Sequence, residues 1–199
     1  MGSRIVVLVS GTGTNLAALL EATRDPHYGA TVVAVGADRP DIPALDLAAE
    51  QGIPTFVRVL QQFPDRDAWN DALAADIASY DADLVVCAGF MKLLRGDLVT
   101  RWPTLNTHPA LCPAFPGMHA VEDALAYGVK VTGATLFLVD DGVDAGPVVA
   151  QVAVPVCDGD DVQSLHARIK SAEHGMLVET VGRMVRGGYR IEGRKVVLA

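Results

Sequence analysis

Residues 5–9 read IVVLV, an unbroken apolar run with four β-branched members and no polar residue in alternation. A strand covered on one face alternates apolar with polar; a run like this one needs cover on both faces, as in a parallel sheet flanked by helices. Straight after it come Ser10, Gly11, Thr12, Gly13, Thr14 and Asn15, and a helical pattern opens at Asn15. A buried strand that turns through glycines into a helix is the opening unit of an α/β sheet, and it constrains the fold of the chain more than any other feature.

The alternation continues. Strands are predicted at 31–35, 53–57 and 84–88. Helices are predicted at 43–51, ended by Gly52, and at 65–79, capped by Asp65 with Ala68, Trp69, Ala72, Leu73 and Ile77 roughly on one face. Then the rhythm changes. A brief strand at 105–107 leads into the loop HPALCPAFPG and a helix at 120–127. Strands at 131–139 and 147–154 read as an antiparallel pair around an acidic loop, and a helix over 162–186 precedes short strands at 189–192 and 195–198. The expected fold is α/β: a single Rossmann-like domain, with a parallel sheet in the N-terminal half extended by antiparallel strands in the C-terminal half. No linker, repeat or low-complexity tract interrupts residues 1–199.

Composition excludes several classes of function. Lys plus Arg number 16 against 24 Asp plus Glu, a net charge of −8, so the chain lacks the basic surface of a nucleic-acid partner. Cys87, Cys112 and Cys157 are an odd number without a CxxC pair, which suggests neither a disulfide framework nor a zinc site and fits reduced thiols in the cytoplasm. No apolar run approaches a membrane span. Residues 5–9 are too short for a signal segment, and Met1-Gly2-Ser3-Arg4 reads as an ordinary start or an expression scar. Val6 breaks the myristoylation pattern.

Two groups of residues carry chemistry. The loop at 10–15 can turn backbone N–H groups toward an anion, aided by the helix dipole. It lacks the third glycine of a dinucleotide fingerprint, Asp38 falls late for the acidic partner of such a site, and no Gly-Lys-Ser/Thr follows. A single phosphate fits best; a tight turn without a ligand is the alternative. Further on, Asn106 and His108 stand at i and i+2, on one side of an extended chain. A carboxamide can donate to a developing oxyanion and an imidazole can move a proton near neutral pH. Asp144, in a glycine-flanked loop, can orient that imidazole. No nucleophile motif accompanies them, so direct transfer to an amine or to water suits the set better than a covalent intermediate. Taken singly, His108 before a proline reads as a structural hydrogen-bonder and Asp144 as a turn residue. His27, His119, His166 and His174 read as surface or packing residues, and no metal site is expected.

Together, SGTGTNL at the start, AGFMKLL at 88–94, LNTHPALCPAFPG at 105–117 and DDGVDAGPVVAQ at 140–151 resemble the phosphoribosylglycinamide formyltransferases of purine synthesis, in order and over essentially the whole chain. The resemblance implies transfer of the formyl group of 10-formyltetrahydrofolate, the co-substrate, to the amine of glycinamide ribonucleotide without a metal. It implies that Asn106, His108 and Asp144 are catalytic: Asn106 and His108 stabilise the oxyanion, and Asp144 tunes His108 and receives the amine proton through water. The phosphate would lie on Gly11, Thr12, Gly13, Thr14 and Asn15, with Lys170 and Glu173 as further ribonucleotide contacts. The folate would lie along Met91, Lys92, Leu93 and Leu94, Asn106, and Asp140, Asp141, Gly142, Val143 and Asp144, with Arg66 meeting its glutamate tail. Residues 1–103 would be the phosphate-binding half of the domain and 104–199 the catalytic and folate-binding half. Small molecules would be the only ligands, with no nucleic acid or membrane partner, and a homodimer is left open.

Three positions depart from the commonest family pattern. Ala110 and Cys112 replace Ser and Leu, and Lys92 stands where Arg is frequent, which is expected to weaken a planar contact. Formyltetrahydrofolate hydrolases share the loop and the Asn/His/Asp set but normally carry an additional N-terminal domain. Methionyl-tRNA formyltransferases need a C-terminal tRNA-binding domain and a basic surface. A nucleotide-binding module without activity would explain the glycines but not the three polar residues together.

Overall fold

The computed structural model describes residues 2–199; Met1, part of the stretch read as an ordinary start, lies outside them. The chain forms two compact units, the first ending at Asn106 and the second spanning Thr107–Ala199.

Five strands alternate with helices through the first unit, the last strand running two residues past its end: β1 (Ser3–Val9), α1 (Thr14–Ala22), β2 (Ala30–Ala37), α2 (Pro43–Glu50), β3 (Thr55–Val57), α3 (Arg66–Ser79), β4 (Leu84–Cys87), α4 (Asp97–Arg101) and β5 (Thr104–His108). All the strand pairs are parallel, in the order β3-β2-β1-β4-β5. Ile5 to Val9 are wholly buried at the centre, as the unbroken apolar run requires. Val6, Leu8, Val85 and Cys87 of the sheet pack with Trp69, Leu73 and Ile77 of α3 and Leu98 of α4. Trp69 stacks on Phe90 and donates its indole N–H to the Arg58 carbonyl at 2.8 Å. Each such side chain contributes about 1.5–3 kcal/mol by burial, so this core and not the polar loops holds the unit together. Burial also pushes the Cys87 thiol up to about 12, which keeps it a neutral core residue.

The sequence reading and the structure differ at element ends. β2 runs to Ala37, two residues past its expected end, so Asp38 is not late at all: it sits directly at the C-terminal end of the strand. β3 starts only at Thr55 because Pro54 has no N–H for the ladder, although its carbonyl accepts from Val35 N. The helix α4 and two 3₁₀ turns, Pro26–Tyr28 and Leu60–Gln62, are too short to show a period and were not expected.

The second unit holds α5 (Ala120–Tyr127), the antiparallel pair β6 (Val131–Leu138) and β7 (Val148–Pro155), α6 (Val162–Gly187), and an antiparallel hairpin of β8 (Tyr189–Glu192) and β9 (Lys195–Leu198). α6 starts at a capping box: Asp161 accepts from Ser164 N at 2.7 Å while Ser164 Oγ accepts from Asp161 N at 3.0 Å. Its buried face (Leu165, Ile169, Leu177, Val181) covers β6 and β7. Among the described residues no helix is long and apolar enough to cross a membrane.

Candidate active site

In the first unit the strand order reverses direction at β1. From β1 the chain winds outward to β2 and β3, whereas β4 lies on the other side of β1, so the loops following β1 and β4 diverge. Open α/β sheets bind ligands outside the carboxyl ends of the strands at such a reversal. The two loops are Ser10 to Gly13 and the stretch 88–94, which holds four of the residues expected to line the folate. One hydroxyl ties them together: Ser10 Oγ accepts from Met91 N at 2.9 Å.

Gly13 opens α1 as its N-cap with φ 77° and no side-chain cap, so the first N–H groups of the helix have no capping side chain. A Cβ on Gly13 would stand 2.7 Å from the Ala44 Cβ on α2, whereas one on Gly11 would meet nothing within 4 Å. The glycine at 13 is thus required by close packing and a left-handed backbone. The glycine at 11 has no such structural reason. Asn15 is buried on α1, and Thr12 and Thr14 are exposed beside the N-terminus.

Asp38, at the end of β2, lies in the same unit with its side chain 1% exposed. Lys92 Nζ reaches its Oδ2 at 2.9 Å, and Arg39 Nη2 reaches the same oxygen at 3.1 Å. Burial pushes the carboxyl upward, but hydrogen bonds from Arg39, Lys92 and Ser10 outweigh it and hold the group below its ordinary value. Those partners commit the Asp38 carboxylate to ion pairs within the unit. The Lys92 side chain is likewise taken up by Asp38. At this position a compact ammonium meets the buried carboxylate, where an arginine could pair with it in a plane. Met91 and Leu93, on either side, are exposed.

Arg66, the first residue of α3, donates to the Leu93 carbonyl at 3.1 Å, so two of the features expected at the folate come together. Asn70, which sequence reasoning missed, reinforces them: Nδ2 donates to the Arg66 carbonyl and Oδ1 accepts from Arg95 N. A buried Asn on the apolar face of a helix was the available signal.

Asn106 pairs with Cys87 in the β4–β5 ladder, is half-buried, and makes no side-chain hydrogen bond among the described residues. Two residues on, in the second unit, His108 ends β5 with its side chain 5% exposed. Its Nε2 stands 2.7 Å from the Phe115 carbonyl oxygen and its Nδ1 stands 3.4 Å from Asp144 Oδ2. Both neighbours only accept, so the ring satisfies both when it carries a proton on each nitrogen. Asp144 Oδ2 also accepts from Gly117 N at 2.8 Å, and Asp144 itself has φ 49°. The acidic loop before it folds on an Asx turn, with Gly142 N donating to Asp140 Oδ1 at 2.9 Å. Asp141, Gly142 and Val143 are exposed.

The proline-rich loop that carries Phe115 and Gly117 is pinned by Thr135 and Gln151, neither of them singled out from sequence. The Thr135 hydroxyl donates to Ala110 O at 2.6 Å and accepts from Cys112 N at 2.9 Å and Gln151 Nε2 at 3.0 Å; Gln151 Nε2 also donates to Cys112 O. Ala110 and Cys112, two of the three positions that depart from the family pattern, therefore meet Thr135 through backbone atoms. A threonine inside the apolar strand VTGATLFL was the legible signal.

Thr107, between Asn106 and His108, points to the opposite face of the strand. There its hydroxyl donates to Glu173 Oε1 at 2.8 Å. Glu173 is buried on α6 while Lys170, one turn earlier, is half-buried, and the structure brings Glu173 to Thr107 rather than to His108. His166 precedes Lys170 by a turn, and burial followed by the Lys170 charge lowers its pKa. Among the described residues no group of three or more His, Cys, Asp or Glu is placed to hold a metal ion.

The chain has close counterparts among known proteins in sequence and in fold. The formyl transferase family model matches residues 3–181. A phosphoribosylglycinamide formyltransferase of Mycobacterium tuberculosis (strain ATCC 25618 / H37Rv) is 52% identical over 198 residues, covering 98% of this chain and 91% of that protein. The trifunctional purine biosynthetic protein adenosine-3 of Bos taurus is 40% identical over 95% of this chain, which spans 19% of that longer protein. The crystal structure of glycinamide ribonucleotide transformylase 1 from Symbiobacterium toebii superposes with a TM-score of 0.96 at 42% identity, covering 99% of this chain and 94% of that one. On the family match and these relatives, the α/β chain described here belongs to the formyl transferase family.

Proposed function

We propose that the chain, as one catalytic domain, transfers the formyl group of 10-formyltetrahydrofolate to the amine of 5'-phosphoribosylglycinamide, in the cytoplasm, as a monomer or a homodimer. The observation that carries the reading is His108 held between the Phe115 carbonyl and the Asp144 carboxylate, two residues after an Asn106 whose carboxamide has no partner among the described residues. The names of relatives matching over nearly the whole chain support the acceptor and the formyl transfer, and the formyl transferase family match supports the folate donor.

The amine nitrogen attacks the formyl carbon, and the carbonyl oxygen gains negative charge. Asn106 Nδ2 donates to that oxygen, and the doubly protonated His108 ring places its positive charge beside it. A charge-assisted N–H···O⁻ bond normally spans about 2.7–2.9 Å. The 3.4 Å between Nδ1 and Asp144 leaves this edge of the ring the looser one, where a substrate oxygen or a water can enter. Asp144 accepts the proton that the amine loses, through water. The intermediate then collapses: the bond from the formyl carbon to folate N10 breaks and N10 takes up a proton, so that none is gained or lost overall. Gly11, Thr12, Gly13, Thr14 and Asn15 hold the phosphate at the open α1 N-terminus, with Lys170 and Glu173 as the other ribonucleotide contacts. Arg66, Met91, Lys92, Leu93 and Leu94 and the loop 140–144 receive the folate, Lys92 through its backbone because its ammonium is held by Asp38.

The test is to follow deformylation of 10-formyltetrahydrofolate with and without glycinamide ribonucleotide. Formyl loss that requires the ribonucleotide and yields formylglycinamide ribonucleotide is the expected result. Equal loss without it would mean transfer to water and would overturn the assignment.

A further inference from the structure

We propose that Arg194, in the C-terminal hairpin, is a positioning residue for the Asp144 carboxylate. The proposal rests on the reading that Asp144 serves formyl transfer. Asp144 holds φ 49°, a left-handed conformation that aspartate adopts more readily than most residues and that two sets of contacts fix here. One constraint is the bond from Gly117 N to its side chain. The other lies on the following peptides: Arg194 Nη2 donates to the Ala145 carbonyl at 2.6 Å and approaches the Gly146 carbonyl at 3.4 Å. Gly146 is itself wedged, since a Cβ there would lie 1.7 Å from the Leu138 carbonyl oxygen. The loop is thus clasped on the C-terminal side of Asp144, where its backbone is least free to adjust.

The hairpin is built to deliver this contact. Gly193 and Arg194 are the two residues between the paired Glu192 and Lys195, and Gly193 takes the positive φ (63°) that a primed two-residue turn needs at its first position. β9 packs beside β7, the strand that leaves the acidic loop. The guanidinium therefore reaches back 49 residues in sequence to a loop carrying a candidate proton acceptor. The family match ends at residue 181, so this contact lies outside what the family model describes.

Four proteins test the proposal: Arg194→Ala, Arg194→Lys, Asp144→Asn, and the combination of Arg194→Ala with Asp144→Asn. Arg194 is exposed on a turn, so the variants should fold, which circular dichroism checks. Displacing a group by about 1 Å can cost about 100-fold, so Arg194→Ala should lower kcat about 10- to 100-fold, with Arg194→Lys recovering part of the loss. In the Asp144→Asn background the same change should cost less than about twofold, because residues acting as a unit are not additive. In the ligand-free protein the amides of 144–146 should exchange faster in Arg194→Ala. An unchanged kcat in Arg194→Ala, or an equal loss in both backgrounds, overturns the positioning role while leaving Asp144 its own. A wild-type kcat in Asp144→Asn instead removes the reading of Asp144, and the proposal falls with it. Unchanged exchange at 144–146 overturns the clasp whatever the rates show.

Discussion

The Nε2 of His108 and the carbonyl oxygen of Phe115 stand 2.7 Å apart, and because a carbonyl only accepts, the proton between them belongs to the ring. The other nitrogen then faces Asp144 favourably only when it too is protonated. Asp144→Asn can keep the Gly117 bond through its amide oxygen but removes the negative charge that faces the His108 ring. Its kcat should fall about 100-fold, the scale of losing one oxyanion stabiliser, while its unfolding midpoint stays near that of the parent. Steady-state kinetics and urea titration of one preparation check both halves.

The two glycines of the first loop should separate binding from folding. Gly11→Ala places a methyl in open space at the N-terminus of α1, so stability should hold while the KM for the ribonucleotide rises well above any change in the folate KM. Gly13→Ala forces a side chain toward Ala44 at a positive φ and should cost about 1–3 kcal/mol of stability, whatever the loop binds. A Gly11→Ala enzyme with equal shifts in both KM values would remove the phosphate from this loop.

Asp38 and Lys92 make a pH prediction. The folded-state pKa of Asp38 lies below its unfolded value, so its contribution to stability is present above about pH 4 and is lost as pH falls through the folded value. The stability difference between the parent and Asp38→Asn should be flat from pH 8 to about pH 5 and narrow below about pH 4. Lys92→Met, which leaves the carboxylate buried with Arg39, should cost about 1–3 kcal/mol at pH 7. Urea unfolding across that range measures both; a difference that grows on acidification would contradict the assignment.

Local pattern made much of this molecule legible, and the limit of legibility was contact between distant segments. The buried run at 5–9 announced a parallel sheet because such a strand needs cover on both faces, and Asp65 announced α3 because its carboxylate meets Ala68 N. Asn106 and His108 were visible as a pair because strand alternation puts i and i+2 on one side. The partners of His108 were less so: Asp144 was named, but Phe115 contributes only a carbonyl, and a backbone oxygen leaves no trace in residue type. Asp38 was discounted because β2 outlasts its apolar run by the small residues Gly36 and Ala37, which carry little strand propensity. Thr135, Gln151 and Arg194 act across 23 to 49 residues of chain, and no spacing rule links such pairs.

The central claim is that His108, set by Asp144 and Phe115, stabilises the charge that forms on the formyl oxygen, and the kcat of a folded His108→Ala enzyme tests it most directly. At saturating folate and ribonucleotide, kcat should fall by about 10²–10³, with the ribonucleotide KM little changed, because the phosphate contacts remain. A folded His108→Ala enzyme that formylates the ribonucleotide at nearly the parent rate would contradict the account and leave His108 a structural residue at the end of β5.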